Sequence, residues 1–291
     1  MNEERNIPGL TPALRRYLRW LFRSLTALSP ALAARLAARL FTTPRRRAIE
    51  AQDAAFLASA QSVRLSTPQG TVQAYDWAGA DPPVLLVHGW ISHAGRLAQL
   101  IQALVERGRR VVAFDAPAHG RSSGRNADLF SFRDAIAAVS AYCGTPGAVL
   151  AHSFGAIATA TWLAEAQPPL RAAVLVGLPR DVGYLFESFT LALDLNDEVI
   201  GRMRALFRAR YGGDPEVFSA RALAKRITVP VLLVHGDADE FIPVAQATEV
   251  AEALVDGRVS VIPGLRHSAP LRDAATVAVM VDFIQARLLA Y

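Results

Sequence analysis

Val149-Leu150-Ala151-His152-Ser153-Phe154-Gly155-Ala156 reads as a short buried strand, a sharp turn bearing one serine, and the first turn of a helix. Small residues stand two before and two after the serine, at Ala151 and Gly155, where a strained strand-to-helix turn brings neighbouring backbone close. Such a turn lifts the serine Oγ off the end of a sheet and leaves it open for attack. A serine alone is a weak nucleophile near neutral pH, so this one needs a base and an orienting acid. The chain offers both later on, in the order Ser, Asp, His. The competing reading is a serine that only N-caps the helix after it.

On both sides of this turn, strand and helix alternate. Residues 62–66 and 71–77 pattern as a hairpin around Pro68-Gln69-Gly70, and residues 84–87 and 111–114 are short apolar runs of the kind buried on both faces. Further strands are predicted at 148–151, 172–176, 231–234 and 259–262, with helices at 97–107, 130–142, 155–166 and 274–289. The expected fold class is α/β, a mostly parallel central sheet with helices on both faces. Residues 181–226 break the rhythm with three helical pieces (184–193, 197–211 and 215–224) and no strand, which predicts a short helical lid over the carboxyl ends of the strands.

The 291 residues are 52% hydrophobic and 20% charged, enough for a large core in a single α/β domain. The net charge of +5 is unevenly spread: residues 1–47 hold ten arginines against Glu3 and Glu4, while the rest carries 21 basic and 24 acidic residues. A mildly acidic body argues against nucleic acid as a partner. Residues 1–61 are assigned to a basic amphipathic helical extension and 62–291 to the catalytic domain with its lid. Within the extension, Thr11-Pro12 is a helix start. Leu14, Leu18, Leu21, Phe22, Leu25 and Leu28 follow at helical spacing, and a second segment with Leu32, Leu36 and Leu40 begins after Ser29-Pro30. This stripe packs on the chain's own domain, or residues 11–42 rest on anionic lipid, or they meet another partner.

Glu3 and Glu4 occupy what would be the positive end of a secretory signal, and arginines interrupt every apolar run up to residue 47. The expected location is therefore cytoplasmic, or peripheral at the inner membrane surface. The single cysteine, Cys143, allows no intramolecular disulfide and fits a reducing compartment.

Residues 62–291 resemble the α/β-hydrolase superfamily at four stations in the family's order. These are Leu86-Val87-His88-Gly89-Trp90; the turn Asp115-Ala116-Pro117-Ala118-His119-Gly120-Arg121-Ser122; the Ser153 elbow; and His235-Gly236-Asp237-Ala238-Asp239 together with Gly264-Leu265-Arg266-His267-Ser268. Ala151 departs from the family pattern, which has glycine there. Of six histidines only His267 follows the last strand on a loop able to fold back over the serine, which makes it the candidate base. For the acid the resemblance favours Asp239 over Asp237, with Glu240 further behind. It also implies an oxyanion hole made by the backbone N–H groups of Trp90 and Phe154, with the Trp90 side chain lining the acyl pocket. Phe186 and Phe189 of the lid are candidate substrate contacts, or else the buried side of lid helices.

The implied activity is cleavage of a carboxylic ester or thioester by a Ser153–His267–Asp239 triad through an acyl-enzyme, on a small-molecule acyl substrate and with no cofactor. An amidase, a C–C bond hydrolase or a perhydrolase would use the same residues. A rival from another class is a non-catalytic binding protein working through its basic helices. The sole lysine is Lys225, so there is no phosphate loop, and neither G-x-G-x-x-G after a strand nor zinc-ligand spacing occurs. Oligomeric state has no signature in the chain.

Overall fold

Eight strands form one sheet: β1 (Gln61–Thr67), β2 (Gly70–Trp77), β3 (Ala80–Val87), β4 (Arg109–Asp115), β5 (Ala148–His152), β6 (Ala172–Val176), β7 (Val231–Gly236) and β8 (Gly257–Ile262). The structure is a computed structural model and describes residues 7–289. Glu3 and Glu4 lie outside the described residues. The sheet order is β1-β2-β4-β3-β5-β6-β7-β8. β2 runs antiparallel to β1 and β4, and all pairs from β4 to β8 are parallel. Each strand expected from an apolar run or hairpin pattern is present.

Parallel strands need crossovers, and the helices supply them. They are α1 (Pro12–Leu28), α2 (Pro30–Phe41), α3 (Ala51–Leu57), α4 (Ala98–Val105), α5 (Leu129–Cys143), α6 (Phe154–Ala166), α7 (Val182–Ala192), α8 (Asp197–Tyr211), α9 (Ala220–Leu223), α10 (Val244–Ala251) and α11 (Ala274–Leu289). Alternation along β3 divides the core. Leu85 and Val87 join Phe132, Ile136 and Ile157 of α5 and α6, whereas Val84 and Leu86 join Leu100, Met280 and Ile284 of α4 and α11. At this fully buried centre of the sheet, hydrophobic burial on both faces sets strand identity.

Two helices escaped the sequence reading. α10 starts without a side-chain cap, and α3 spans only seven residues with none either, so neither carries a start signal. α3 falls inside the expected extension, yet its Leu57 is buried in the core beneath the sheet and Phe56 stacks on Trp77 at 5.3 Å. Residues 215–224 form no continuous helix. Asp181 pairs with Ser219 in an isolated bridge, which holds Ser219 extended and leaves α9 as a separate turn. That bridge closes the base of the lid.

α1 and α2 start as their sequence predicts, with Thr11 accepting from the Leu14 N–H and Ser29 from the Leu32 N–H, each followed by proline. The two helices pack against the lid: Phe22, Ala33, Ala34 and Ala37 share a cluster with Phe186, Leu193, Val199 and Met203. Arg19 donates to the Ala192 carbonyl, and Arg23 pairs with Asp194 at 2.7 Å. The connection from α2 toward α3 is fixed by Arg46, which donates to the carbonyls of Gly120, Ser122 and Gly124.

Candidate active site

Ser153 sits at the N-cap position of α6 with φ 54° and ψ −121°, a left-handed conformation that non-glycine residues seldom adopt. Its side chain makes no capping bond. Instead the hydroxyl lies 2.9 Å from His267 Nε2. Gly155 is required here, because a Cβ at that position would stand 2.3 Å from the His88 carbonyl oxygen. Ala151 lies inside β5 between Val87 and Leu175, where its methyl group is buried.

The His267 Nδ1–H donates to Asp239 Oδ2 at 2.6 Å, which leaves Nε2 free to accept the Ser153 proton. Asp239 is held on all sides. Its Oδ1 accepts from the backbone N–H groups of Phe241 and Ile242 at 2.8 and 2.9 Å, and His235 Nε2 stands 3.2 Å from Oδ2. Burial alone raises a carboxyl, but the hydrogen bonds from His235 and His267 outweigh it and hold Asp239 well below the usual carboxylate range. Asp239 is therefore ionised and pre-oriented. Asp237 instead accepts from the Gly264 N–H and shapes a turn. Glu240 accepts from the His267 backbone N–H and pairs with Arg266.

His235 is the site residue that sequence reasoning missed as a partner of the acid. Its position in His235-Gly236-Asp237-Ala238-Asp239 was visible, but the turn that brings its ring onto Asp239 was not. Three other histidines are structural and neutral. Burial holds His88 down to about 4, while its Nδ1–H donates to the Gly89 carbonyl and Nε2 accepts from the Ala116 N–H. Burial, then the nearby His88, lowers His119 to about 3, and its Nε2 accepts from the Ile91 N–H just beyond Trp90. His152 is lowered to about 3 by burial and by the adjacent His267, to whose carbonyl it donates.

The residues expected to bind an oxyanion come together with the serine. The Phe154 N–H opens α6, so it has no intrahelical acceptor and lies at the positive end of the helix. Gly89 runs so close to the elbow that a Cβ there would meet Ser153 Cβ at 3.0 Å, which sets Trp90 beside Ser153. The Trp90 ring packs edge-on to Phe154 at 5.0 Å.

A cavity of about 260 Å3 opens from Ser153 and His267, with Trp90, Leu185 and Phe189 among its walls. Phe186 is not among them. It packs on Phe41 and Phe207 and is buried between lid and extension, as the alternative reading of it as the buried side of a lid helix has it. The opposite wall is unexpected: Leu10, Leu14 and Leu18, together with Leu40 and Phe41, line the same cavity. The extension is thus part of the pocket.

Comparison with known proteins agrees with this architecture. The family model described as "Serine aminopeptidase, S33" matches residues 78–183. A non-heme haloperoxidase of Rhodococcus erythropolis is 30% identical over 72% of this chain and 94% of its own length. A bifunctional esterase/perhydrolase of Acinetobacter calcoaceticus is 30% identical over 69% of this chain and 91% of its own. A monoacylglycerol lipase of Mycolicibacterium smegmatis is 28% identical over 63% and 80%. In fold, an esterase from Exiguobacterium antarcticum superposes with TM-score 0.61 at 17% identity, covering 77% of this chain and 100% of that one. A membrane phospholipase A superposes with TM-score 0.62 at 17% identity over 95% of this chain and 100% of its own. With the sheet order and the elbow turn in place, this likeness makes the chain a member of the α/β-hydrolase superfamily.

Proposed function

We propose that the protein is a serine hydrolase that cleaves a carboxylic ester or thioester through an acyl-enzyme. The observation that carries this reading is the Ser153 hydroxyl, which is aimed at His267 Nε2 at 2.9 Å in place of capping its own helix. His267 takes the serine proton as the nucleophile attacks and returns it to the leaving group. Asp239 holds the imidazole in the required tautomer and stabilises the imidazolium. The Trp90 and Phe154 N–H groups receive the oxyanion. Water then repeats the sequence on the acyl-enzyme, with His267 again as base.

The pocket points to the acyl part of the substrate. Its volume of about 260 Å3 is just below the usual range of ligand sites (about 300–1,000 Å3), and with its leucine and phenylalanine walls it suits one apolar chain. The esterase and monoacylglycerol lipase names among the relatives point the same way. A fluorophosphonate probe read by intact mass tests the reading. A single adduct on the wild type, absent from Ser153→Ala, is the expected result; no adduct on folded wild-type protein overturns it. Parallel assays on p-nitrophenyl esters and acyl thioesters of graded length then separate the two leaving groups.

A further inference from the structure

α1 carries more apolar surface than it buries. Phe22 is buried and Leu18 and Leu25 are partly buried against the lid. Yet Tyr17, Trp20 and Leu28 are 56%, 63% and 80% exposed, and Leu14 is 37% exposed. At 3.6 residues per turn, Tyr17, Trp20, Ser24 and Leu28 fall on one outward strip with the exposed Arg16 next to it, whereas Arg19 and Arg23 reach to the lid, to the Ala192 carbonyl and Asp194. Tyrosine and tryptophan rings on an outward strip of an extension that carries ten arginines within residues 1–47 match a helix lying in a membrane interface, where the rings sit at headgroup level and guanidinium groups reach anionic phosphates. Among the described residues no helix is long and apolar enough to cross a membrane.

The mouth of the catalytic cavity adjoins this strip. The most exposed cavity residues are Pro8, Gly9, Leu14 and Arg45, all contributed by the extension, while Trp90, Ile91 and Phe241 are partly exposed. Leu14 belongs both to the cavity wall and to the edge of the exposed strip. We infer that α1 docks the protein on an anionic lipid leaflet, with the cavity mouth turned toward the bilayer, and that the substrates are acyl esters held in that leaflet. The substrate clause rests on the serine-hydrolase reading; the docking clause does not.

The test uses the full chain carrying Ser153→Ala, so that lipid is not consumed, and sediments it with phosphatidylcholine vesicles with and without phosphatidylglycerol. Binding is expected to be stronger by at least about ten-fold on the anionic vesicles and to weaken as salt rises. Tyr17→Glu/Trp20→Glu should lose about ten-fold or more of it. Should the double variant fail to fold, Tyr17→Ser/Trp20→Ser serves in its place. In the chain that retains Ser153, the same variants should keep the fluorophosphonate labelling rate and the turnover of p-nitrophenyl butyrate, while losing turnover of a monoacylglycerol presented in vesicles. Equal sedimentation of wild type and variants overturns the proposal. So does a dimer in solution, dissolved by the same substitutions, with no vesicle binding, since the strip would then cover a second copy of the chain. Vesicle binding without any fluorophosphonate adduct would leave the docking in place and remove the hydrolase reading.

Discussion

Phe41 of α2 meets Phe189 of α7 edge-on, with ring centroids 5.3 Å apart, and both rings line the cavity that opens from Ser153. Lid and N-terminal extension are therefore one cap over the site, although nearly 150 residues of chain separate these two positions. Truncating Phe41 to alanine should remove an acyl-chain wall without touching the triad. The expected outcome is a shift of kcat/KM toward longer acyl chains, with a stability loss of about 2 kcal/mol for a half-buried ring. An ester series of graded chain length, read beside thermal unfolding, checks both.

Removal of residues 1–47 is a stronger version of the same experiment. It would strip the partners from Phe186, Leu193, Val199 and Met203 and open the cavity to water. The shortened chain should aggregate, or fold with a loosened lid that binds a hydrophobic dye. A monodisperse truncated protein with unchanged chain-length preference would show that the extension is a peripheral attachment.

Asp239→Asn should lower kcat by about 10⁴, because an amide cannot hold His267 in the tautomer that accepts the serine proton. Asp237→Asn weakens only the turn bond to the Gly264 N–H and should change kcat by less than about three-fold, with a stability loss of about 1 kcal/mol. Steady-state kinetics on the pair checks the assignment of the acid. Comparable losses in both variants would overturn it.

The proposed oxyanion site depends on a missing side chain. A Cβ on Gly89 would press on His152 Nδ1 and Ser153 Cβ, each at 3.0 Å. Gly89→Ala should therefore displace the Trp90 N–H and lower kcat by about 10²-fold, with the fold intact. Circular dichroism and unfolding curves beside the kinetics would separate this from general instability.

Stability should fall between pH 6.5 and 4. His88, His119 and His152 are buried, with proton affinities lowered to about 4, 3 and 3 from an ordinary value near 6.5. The unfolded chain binds these protons more readily than the folded one. Stability from keeping them neutral is present above pH 6.5 and is lost as the pH drops through that window, at roughly 3 kcal/mol per histidine. Asp239, whose carboxyl is depressed, gives up its own contribution only below about pH 4. Urea midpoints at pH 7.5 and 5 should differ strongly in the wild type and less in His119→Gln. Equal wild-type midpoints would show that these rings do not take up protons on unfolding.

The sheet and the strained turn at Ser153 were legible in the sequence because both rest on local signals. Runs such as residues 84–87 and 231–234 are short and apolar at consecutive positions, which suits a strand buried on both faces. The Ser153 turn needs its small neighbours within two residues on either side. The order of Ser153, Asp239 and His267 was also readable, since each follows its own strand. Residues distant in sequence had to meet before the rest was decided. Asp239 stands apart from Asp237 because the turn after β7 seats it against His235 and the loop after β8 lays His267 upon it. Phe186 and Phe189, three apart on α7, both pack on Phe41 of the extension, and the depth at which each ring sits decides that Phe189 lines the cavity while Phe186 is buried between lid and extension. The amphipathic pattern of α1 announced a helix with an apolar side; where that side goes depends on how much lid surface is present to receive it. The lid takes Phe22, Leu18 and Leu25, and leaves Tyr17 and Trp20 outside. Local sequence determines which residues can form an element, whereas the area available for burial elsewhere in the fold decides which of its faces is covered.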